Sequence, residues 1–182
     1  MKDYLETIVK LDNIIDPIFI DRMIPLINHR AKKILETGWG VNKNIRNVIG
    51  HHLTFQNATD VFYFNYIKNE IERLYTFYKI KFPKMASHII NQIDLLKYDV
   101  GGNYITHIDH STTTARHLSI IMNLNDDYEG GDLVFTDQKN NETKRLKLGK
   151  GSIVFFPSNF MYPHGIQSIK KGTRYSIVAW LQ

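Results

Sequence analysis

The sequence predicts a mainly β protein of the α+β class, with a double-stranded β-helix (jelly roll) core supported by helices at its N-terminal end. Two stretches with helical apolar spacing precede residue 88, and about eight short apolar or alternating stretches follow it. Turn-forming residues separate the later stretches, the pattern expected when strands fold into two packed sheets with helices gathered on one side. With 182 residues the chain suits one domain spanning 1–182, divided into a helical support over 1–88 and a core over 89–182.

Asp16-Pro17 is the expected start of the first helix, an acidic cap followed by proline at the first helical position. Ile20, Ile24, Ile27, Ile34 and Leu35 continue the apolar spacing, and Gly38 is the expected stop. Val41–Asn57 is irregular and polar, a loop long enough to suggest a lid over a substrate. Thr59–Tyr78 then predicts a second helix through Phe62, Tyr66, Ile67, Ile71 and Leu74. The predicted strands are Ile89–Tyr98, Tyr104–His107, His117–Leu124, Leu133–Thr136, Thr143–Leu148, Ser152–Phe156, Pro163–Ile169 and Arg174–Leu181. Gly101-Gly102, Gly130-Gly131, Lys139-Asn140-Asn141, Gly149-Lys150-Gly151 and Lys170-Lys171-Gly172 supply the turns.

Composition narrows the chemistry. The 43% hydrophobic and 23% charged fractions are those of an ordinary globular protein. There is no cysteine, so disulfides, thiolate metal sites and thiol nucleophiles are excluded, and any metal must use His, Asp, Glu or water. The +5 charge is scattered, with Lys79, Lys81, Lys144, Arg145, Lys147, Lys170 and Lys171 as the densest groups, which speaks against a nucleic-acid partner. An N-terminus without an apolar secretory core, and no apolar run of roughly 20 residues, lead to the expectation of a cytoplasmic protein with no membrane partner.

His107-Ile108-Asp109 is the first informative triplet, because residues two apart on an extended strand project to one face. Tyr162-Pro163-His164-Gly165 opens a later strand, and Arg174-Tyr175-Ser176 lies ten residues beyond His164. A hairpin at Lys170-Lys171-Gly172 is expected to set those two strands side by side. Two imidazoles and one carboxylate make the facial triad of a non-haem iron(II) oxygenase, with three positions left for a chelating 2-oxo acid and dioxygen. The far carboxylate of that acid needs a fixed cation; Arg174 offers a planar fork and Ser176 a hydroxyl on the same strand face. His110 competes with His107, and His117 or His52 with His164; His29, His51 and His88 are expected to be surface or structural.

From Tyr98 to Leu181 the chain resembles the prolyl 4-hydroxylase-type 2-oxoglutarate/Fe(II)-dependent dioxygenases. Tyr98 through Asp109 is similar to the group's Y-x-x-G-x-x-Y-x-x-H-x-D pattern, and Arg116 through Leu124 to its R-x-x-T-x-L-x-Y-L strand. Glu129-Gly130-Gly131 matches its E-G-G turn, and Lys150-Gly151-Ser152 through Phe156 resembles its G-x-A-x-x-F strand. His164, Arg174 and Trp180 fall at the spacing of its distal metal ligand, co-substrate cation and late tryptophan. Arg174 stands where collagen-type enzymes commonly carry Lys.

The resemblance implies iron(II), 2-oxoglutarate, dioxygen and ascorbate as cofactors and co-substrates, and a proline-containing peptide or protein as partner. It implies that Tyr98 helps Arg174 hold the distal carboxylate, and that Tyr104, Arg116 and Trp180 line the substrate side. The implied reaction decarboxylates 2-oxoglutarate to succinate while hydroxylating a C–H bond. A hydroxylase of a free amino acid or lysyl residue has the same cofactor chemistry. A cupin-like metal-binding module is the reading from another class. A demethylase of the AlkB type carries a second arginine six residues after the first, where this chain has Trp180.

Overall fold

The structure, a computed structural model, describes residues 4–36, 40–86 and 89–182, so the expected helix stop at Gly38 and the side chain of His88 lie outside the described residues. A 3-10 turn over Tyr4–Thr7 leads into β1 (Val9–Leu11), then α1 (Pro17–Arg30), β2 (Lys33–Ile34), β3 (Arg46–Asn47), β4 (Ile49–His52) and α2 (Ala58–Lys81). The second half contains β5 (Ile90–Tyr98), β6 (Asn103–His107), β7 (Leu118–Asn123), β8 (Glu129–Gly130), β9 (Leu133–Thr136) and β10 (Glu142–Leu146). It closes with β11 (Ser152–Pro157), β12 (His164–Ile166), β13 (Ile169–Lys171) and β14 (Arg174–Leu181). A seven-stranded sheet in the order β1-β11-β7-β14-β5-β4-β2 faces a five-stranded sheet in the order β10-β9-β12-β6-β3. This is the two-sheet sandwich expected from the strand pattern.

Period-two alternation gives each strand of the large sheet two jobs. Ile93, Leu95, Ile120, Met122, Ile153, Phe155 and Ile177 pack against Phe19, Ile27, Ile67 and Leu74 of the helices. Leu96, Tyr98, Ile121, Val154, Phe156 and Val178 form a second cluster with Leu133, Phe135 and Ile166 of the small sheet. With both faces covered, all six residues of β7 are buried, which is why it reads as a continuous run rather than an alternation.

Local sequence explains both helices. Asp16 caps α1 by accepting the Ile18 amide at 2.8 Å, with Pro17 in the first turn, and Asn57 caps α2 by accepting the Asp60 amide at 2.9 Å. The first helix stops at Arg30, earlier than expected. Ala31 is extended, and Lys33 and Ile34 pair with Gly50 and Ile49, so sheet pairing overrides the helical spacing of Ile34 and Leu35.

Three expectations are corrected. The strand of His164 and that of Arg174 do not form a hairpin: β12 belongs to the small sheet and β14 to the large one, so the two face each other across the sandwich. The Pro163–Ile169 segment splits into β12 and β13. Val41–Asn57 is not an unstructured lid, since β3 pairs with β6 in the small sheet and β4 with β5 in the large one. Two residues after β3 the chain has already crossed from one sheet to the other, joining them along that edge.

Asp60, 1% exposed, ties this edge to both helices. Its carboxylate accepts from Arg30 on α1, from His51 Nε2 on β4 at 3.1 Å and from the Thr54 amide and hydroxyl at 3.2 Å each. Burial opposes its ionisation, but the bonds from Arg30, His51 and Thr54 outweigh it and hold the carboxyl well below the ordinary range. A depressed folded pKa stabilises at any pH above the unfolded value of about 3.9, and this contribution is lost as pH falls below that value. We predict that Asp60→Ala lowers unfolding free energy by about 2–4 kcal/mol at pH 7, measured by denaturant unfolding. The gap between variant and wild type should narrow below pH 4; a gap that stays constant to pH 2 would contradict the assignment.

Candidate active site

The antiparallel register of β6 and β12 pairs His107 directly with His164, and this pairing builds the site. Their ring centroids lie 4.4 Å apart. Each imidazole is anchored through Nδ1 to the carbonyl two residues before it, His107 to Ile105 at 2.9 Å and His164 to Tyr162 at 3.1 Å. Those carbonyls hold the proton on Nδ1, which leaves each Nε2 with a lone pair directed at the same point. Asp109, two residues past His107, places Oδ1 3.4 Å from His107 Nε2 and Oδ2 3.5 Å from His164 Nε2. One donor atom from each residue falls within 4.8 Å of the others, which suits a single metal ion, and no other such group occurs among the described residues.

Packing holds the three in place. Tyr104 stacks on His107 at 3.6 Å between centroids, and Phe156 meets His164 edge-on at 4.6 Å. The Ser119 hydroxyl donates to Asp109 Oδ2 at 2.6 Å and is itself joined to the Ser158 hydroxyl at 2.7 Å. Burial opposes ionisation of Asp109, yet the imidazole of His164, the bond to His107 and the Ser119 hydroxyl outweigh it and keep the carboxyl well below its ordinary range. Burial pushes His164 down to about 4 against the pull of Asp109, so the ring stays neutral and its lone pair is available. The rival imidazoles are engaged elsewhere, His110 with the Arg116 carbonyl at 2.9 Å and His52 with Asp94 at 2.7 Å. His29 is exposed and His51 serves Asp60.

Deeper between the sheets stands Arg174, the first residue of β14, 1% exposed and paired in register with Tyr98. Its guanidinium lies 5.2 Å over the Tyr98 ring, and its Nε donates to Asn123 Oδ1 at 3.0 Å. Asn123 is held in turn, donating to the Asn125 carbonyl at 2.6 Å and to the Leu148 carbonyl at 3.2 Å. Gly131 makes room, since a Cβ there would lie 2.5 Å from Ile169 Cδ1 and 3.2 Å from Arg174 Cδ, and its φ of +69° also favours glycine. One Arg174 terminal nitrogen has no hydrogen-bond partner, and neither has the buried Ser176 hydroxyl on the same strand face. No acidic side chain pairs with Arg174 among the described residues. A cation buried without an anion is costly, so this part of the interior is chemically incomplete without one.

The remaining predicted residues lie at the other end. Arg116 stacks on Trp180 at 3.7 Å and donates to Gln92 Oε1 at 2.8 Å and to the Asp109 carbonyl at 3.3 Å. With Tyr104 and Asp109 they border an outer polar compartment that also includes Arg46, His52 and Asp94. Sequence reading assigned no role to Ser119, Asn123, Arg46 or Asp94. The first two carried a signal, being polar positions two and four residues apart from Ile121 or each other on the inward face of an otherwise apolar strand; Arg46 carried none, because β3 is only two residues long.

Comparison with known proteins agrees with this architecture. The sequence profile described as the 2OG-Fe(II) oxygenase superfamily matches residues 93–182. A PKHD-type hydroxylase of Prochlorococcus marinus is 34% identical over 87 residues, covering 46% of this chain and 38% of the relative. The chain thus spans about two fifths of the length of that relative. Among solved structures, a 2OG-Fe(II) oxygenase family oxidoreductase from Burkholderia pseudomallei superposes with a TM-score of 0.79 at 13% identity, covering 97% of this chain and 85% of that one. A prolyl hydroxylase from Trichoplax adhaerens, in complex with a hypoxia inducible factor oxygen degradation domain peptide fragment, gives 0.73 at 16% identity, covering 97% and 84%. At such identities the structural likeness establishes the jelly-roll fold, and the sequence match establishes kinship. Through residues 93–182, the chain belongs to the 2OG-Fe(II) oxygenase superfamily.

Proposed function

We propose that the chain is an iron(II)- and 2-oxoglutarate-dependent dioxygenase that hydroxylates a prolyl residue of a peptide or protein. The buried Arg174 guanidinium, with one terminal nitrogen unpaired, carries this reading. It lies between the sheets beside Tyr98, whose ring lines the same cavity as His107, Asp109 and His164, so that one dicarboxylate can satisfy both ends. The donor set, two imidazoles and one carboxylate, suits a divalent iron.

Bound there with 2-oxoglutarate and dioxygen, iron(II) supplies oxidative decarboxylation to succinate and carbon dioxide coupled to C–H hydroxylation. Arg174 binds the far carboxylate through charge-assisted hydrogen bonds, with the Ser176 and Tyr98 hydroxyls beside it. Asn123 fixes the tilt of the guanidinium, and Ser119 fixes the rotamer of Asp109. The apolar walls formed by Leu96, Ile121, Ile166 and Val178 exclude water between the two ends. Tyr104, Arg116 and Trp180 face the outer compartment and orient the substrate. Ascorbate serves as the reductant that maintains iron(II).

Likeness to prolyl hydroxylases supports the prolyl substrate, and a peptide is bound to the Trichoplax neighbour. The charged lining of the outer compartment favours a second reading, hydroxylation of a free amino acid or a lysyl residue. Succinate formation with iron(II), ascorbate and oxygen, measured with proline-rich peptides and with free amino acids, separates the two. Iron binding without 2-oxoglutarate turnover under any of these conditions would point to a cupin-like metal-binding module.

The residue roles predict the behaviour of three variants. Asp109→Ala should abolish stoichiometric iron(II) binding and succinate formation, and Ser119→Ala should weaken iron affinity about 10- to 100-fold, both read by metal titration; wild-type affinity in Asp109→Ala would sink the ligand set. Arg174→Ala should raise the 2-oxoglutarate KM about 10- to 100-fold while iron binding persists, the loss expected for hydrogen bonds to a charged group. An unchanged KM would remove Arg174 from the co-substrate site.

A further inference from the structure

The outer compartment contains a cation whose position points to substrate recognition. Arg46 pairs in register with Tyr104 across β3 and β6, and its guanidinium lies 4.9 Å over the Tyr104 ring. Tyr104 in turn stacks on His107, so one phenol ring touches both the guanidinium and a member of the His107, Asp109, His164 cluster. Arg46 borders both the cavity containing His107, Asp109 and His164 and the outer compartment containing Gln92, Arg116 and Trp180.

Its hydrogen-bonding capacity is only partly used. Nη1 donates to the Glu36 carbonyl at 3.2 Å, Nη2 stands 3.9 Å from Asp94 Oδ2, beyond hydrogen-bond length, and Nε has no partner. Asp94 accepts on Oδ1 from His52 at 2.7 Å and from Gln92 Nε2 at 3.2 Å, and among the described residues its Oδ2 makes only the long ion pair with Arg46. A second guanidinium, Arg116, lies flat on Trp180 in the same compartment. Each of these ring-stacked guanidinium groups keeps a buried Nε without a partner, and their stacking fixes them before a ligand arrives, which lowers the ordering cost of binding. Arg116, stacked on Trp180, is out of reach of the far carboxylate of the co-substrate, because Trp180 and Arg174 lie six residues apart on one strand, roughly 20 Å.

We propose that Arg46 is a substrate-binding residue whose guanidinium holds a carboxyl-derived oxygen, a free carboxylate or a peptide carbonyl, next to the carbon to be hydroxylated. The assignment rests on the dioxygenase reading of the site. The pairing of β3 with β6 brings this cation to the Tyr104 ring at the border of the cavity, which gives the edge segment a purpose beyond closing the sandwich.

The test uses the full chain loaded anaerobically with iron(II) and 2-oxoglutarate, with N-acetyl-L-proline and N-acetyl-L-prolinamide as probes, read by calorimetry in wild type, Arg46→Gln and Arg46→Lys. Wild type should bind at least one probe, Arg46→Gln should lose at least tenfold in its affinity, and Arg46→Lys should recover part of that loss. The 2-oxoglutarate affinity should fall far less than the probe affinity. A loss confined to N-acetyl-L-proline identifies a free carboxylate, and equal losses identify a carbonyl. Equal probe affinities in wild type and Arg46→Gln overturn the assignment, as does a wild type that binds 2-oxoglutarate and neither probe. A wild type that does not bind 2-oxoglutarate removes the dioxygenase reading itself.

Discussion

The direct pairing of His107 with His164 across β6 and β12 is the constraint on which the rest of the site depends. A slip of one residue would turn one imidazole to the opposite face of the sheet and dismantle the cluster. Glycine at 165 protects the register, because a Cβ there would lie 2.7 Å from the Tyr104 carbonyl oxygen, closer than any side chain tolerates. The same short strand therefore needs His at one position and no side chain at the next. Stacking from Tyr104 and edge contact from Phe156 then leave the two rings little freedom, so the site is formed before a metal arrives.

The sandwich accepts an unusual inner surface to keep this arrangement. Asp94, Ser119, Asn123, Arg174 and Ser176 are buried on the inward face of the large sheet, among residues that would otherwise form an unbroken apolar core. Asp94, Ser119 and Asn123 have hydrogen-bond partners, but Arg174 and Ser176 keep unpaired atoms. Desolvated donors of this kind destabilise the empty protein and strengthen any interaction with an anion that reaches them. In the proposed reading, structure and binding are thereby coupled, because an anionic ligand completes the interior.

Much of this was legible in the sequence. His107, Asp109 and His164, singled out by residue type and spacing, lie together in the fold, and Leu133–Thr136 and Arg174–Leu181 are found as strands at the bounds read from alternation. Length, apolar pattern and β-branched content sufficed there because the strands are buried on at least one face. The short strands β1 to β4 were not legible, since two to four residues carry no periodicity and exist only because longer neighbours offer them a free edge. The same limit hid Arg46. It also misplaced the relation between His164 and Arg174, whose separation of ten residues suits a hairpin as well as it suits strands facing each other across two sheets.

The central claim, that the triad and Arg174 hold a single iron–2-oxoglutarate unit between them, is tested most directly by anaerobic spectroscopy. Addition of 2-oxoglutarate to the iron(II)-loaded protein should produce a visible charge-transfer absorption, because a chelating 2-oxo acid accepts electron density from the metal, with one equivalent saturating the band. A protein that binds both iron and 2-oxoglutarate yet shows no such band would contradict the account, since the two would then occupy separate places.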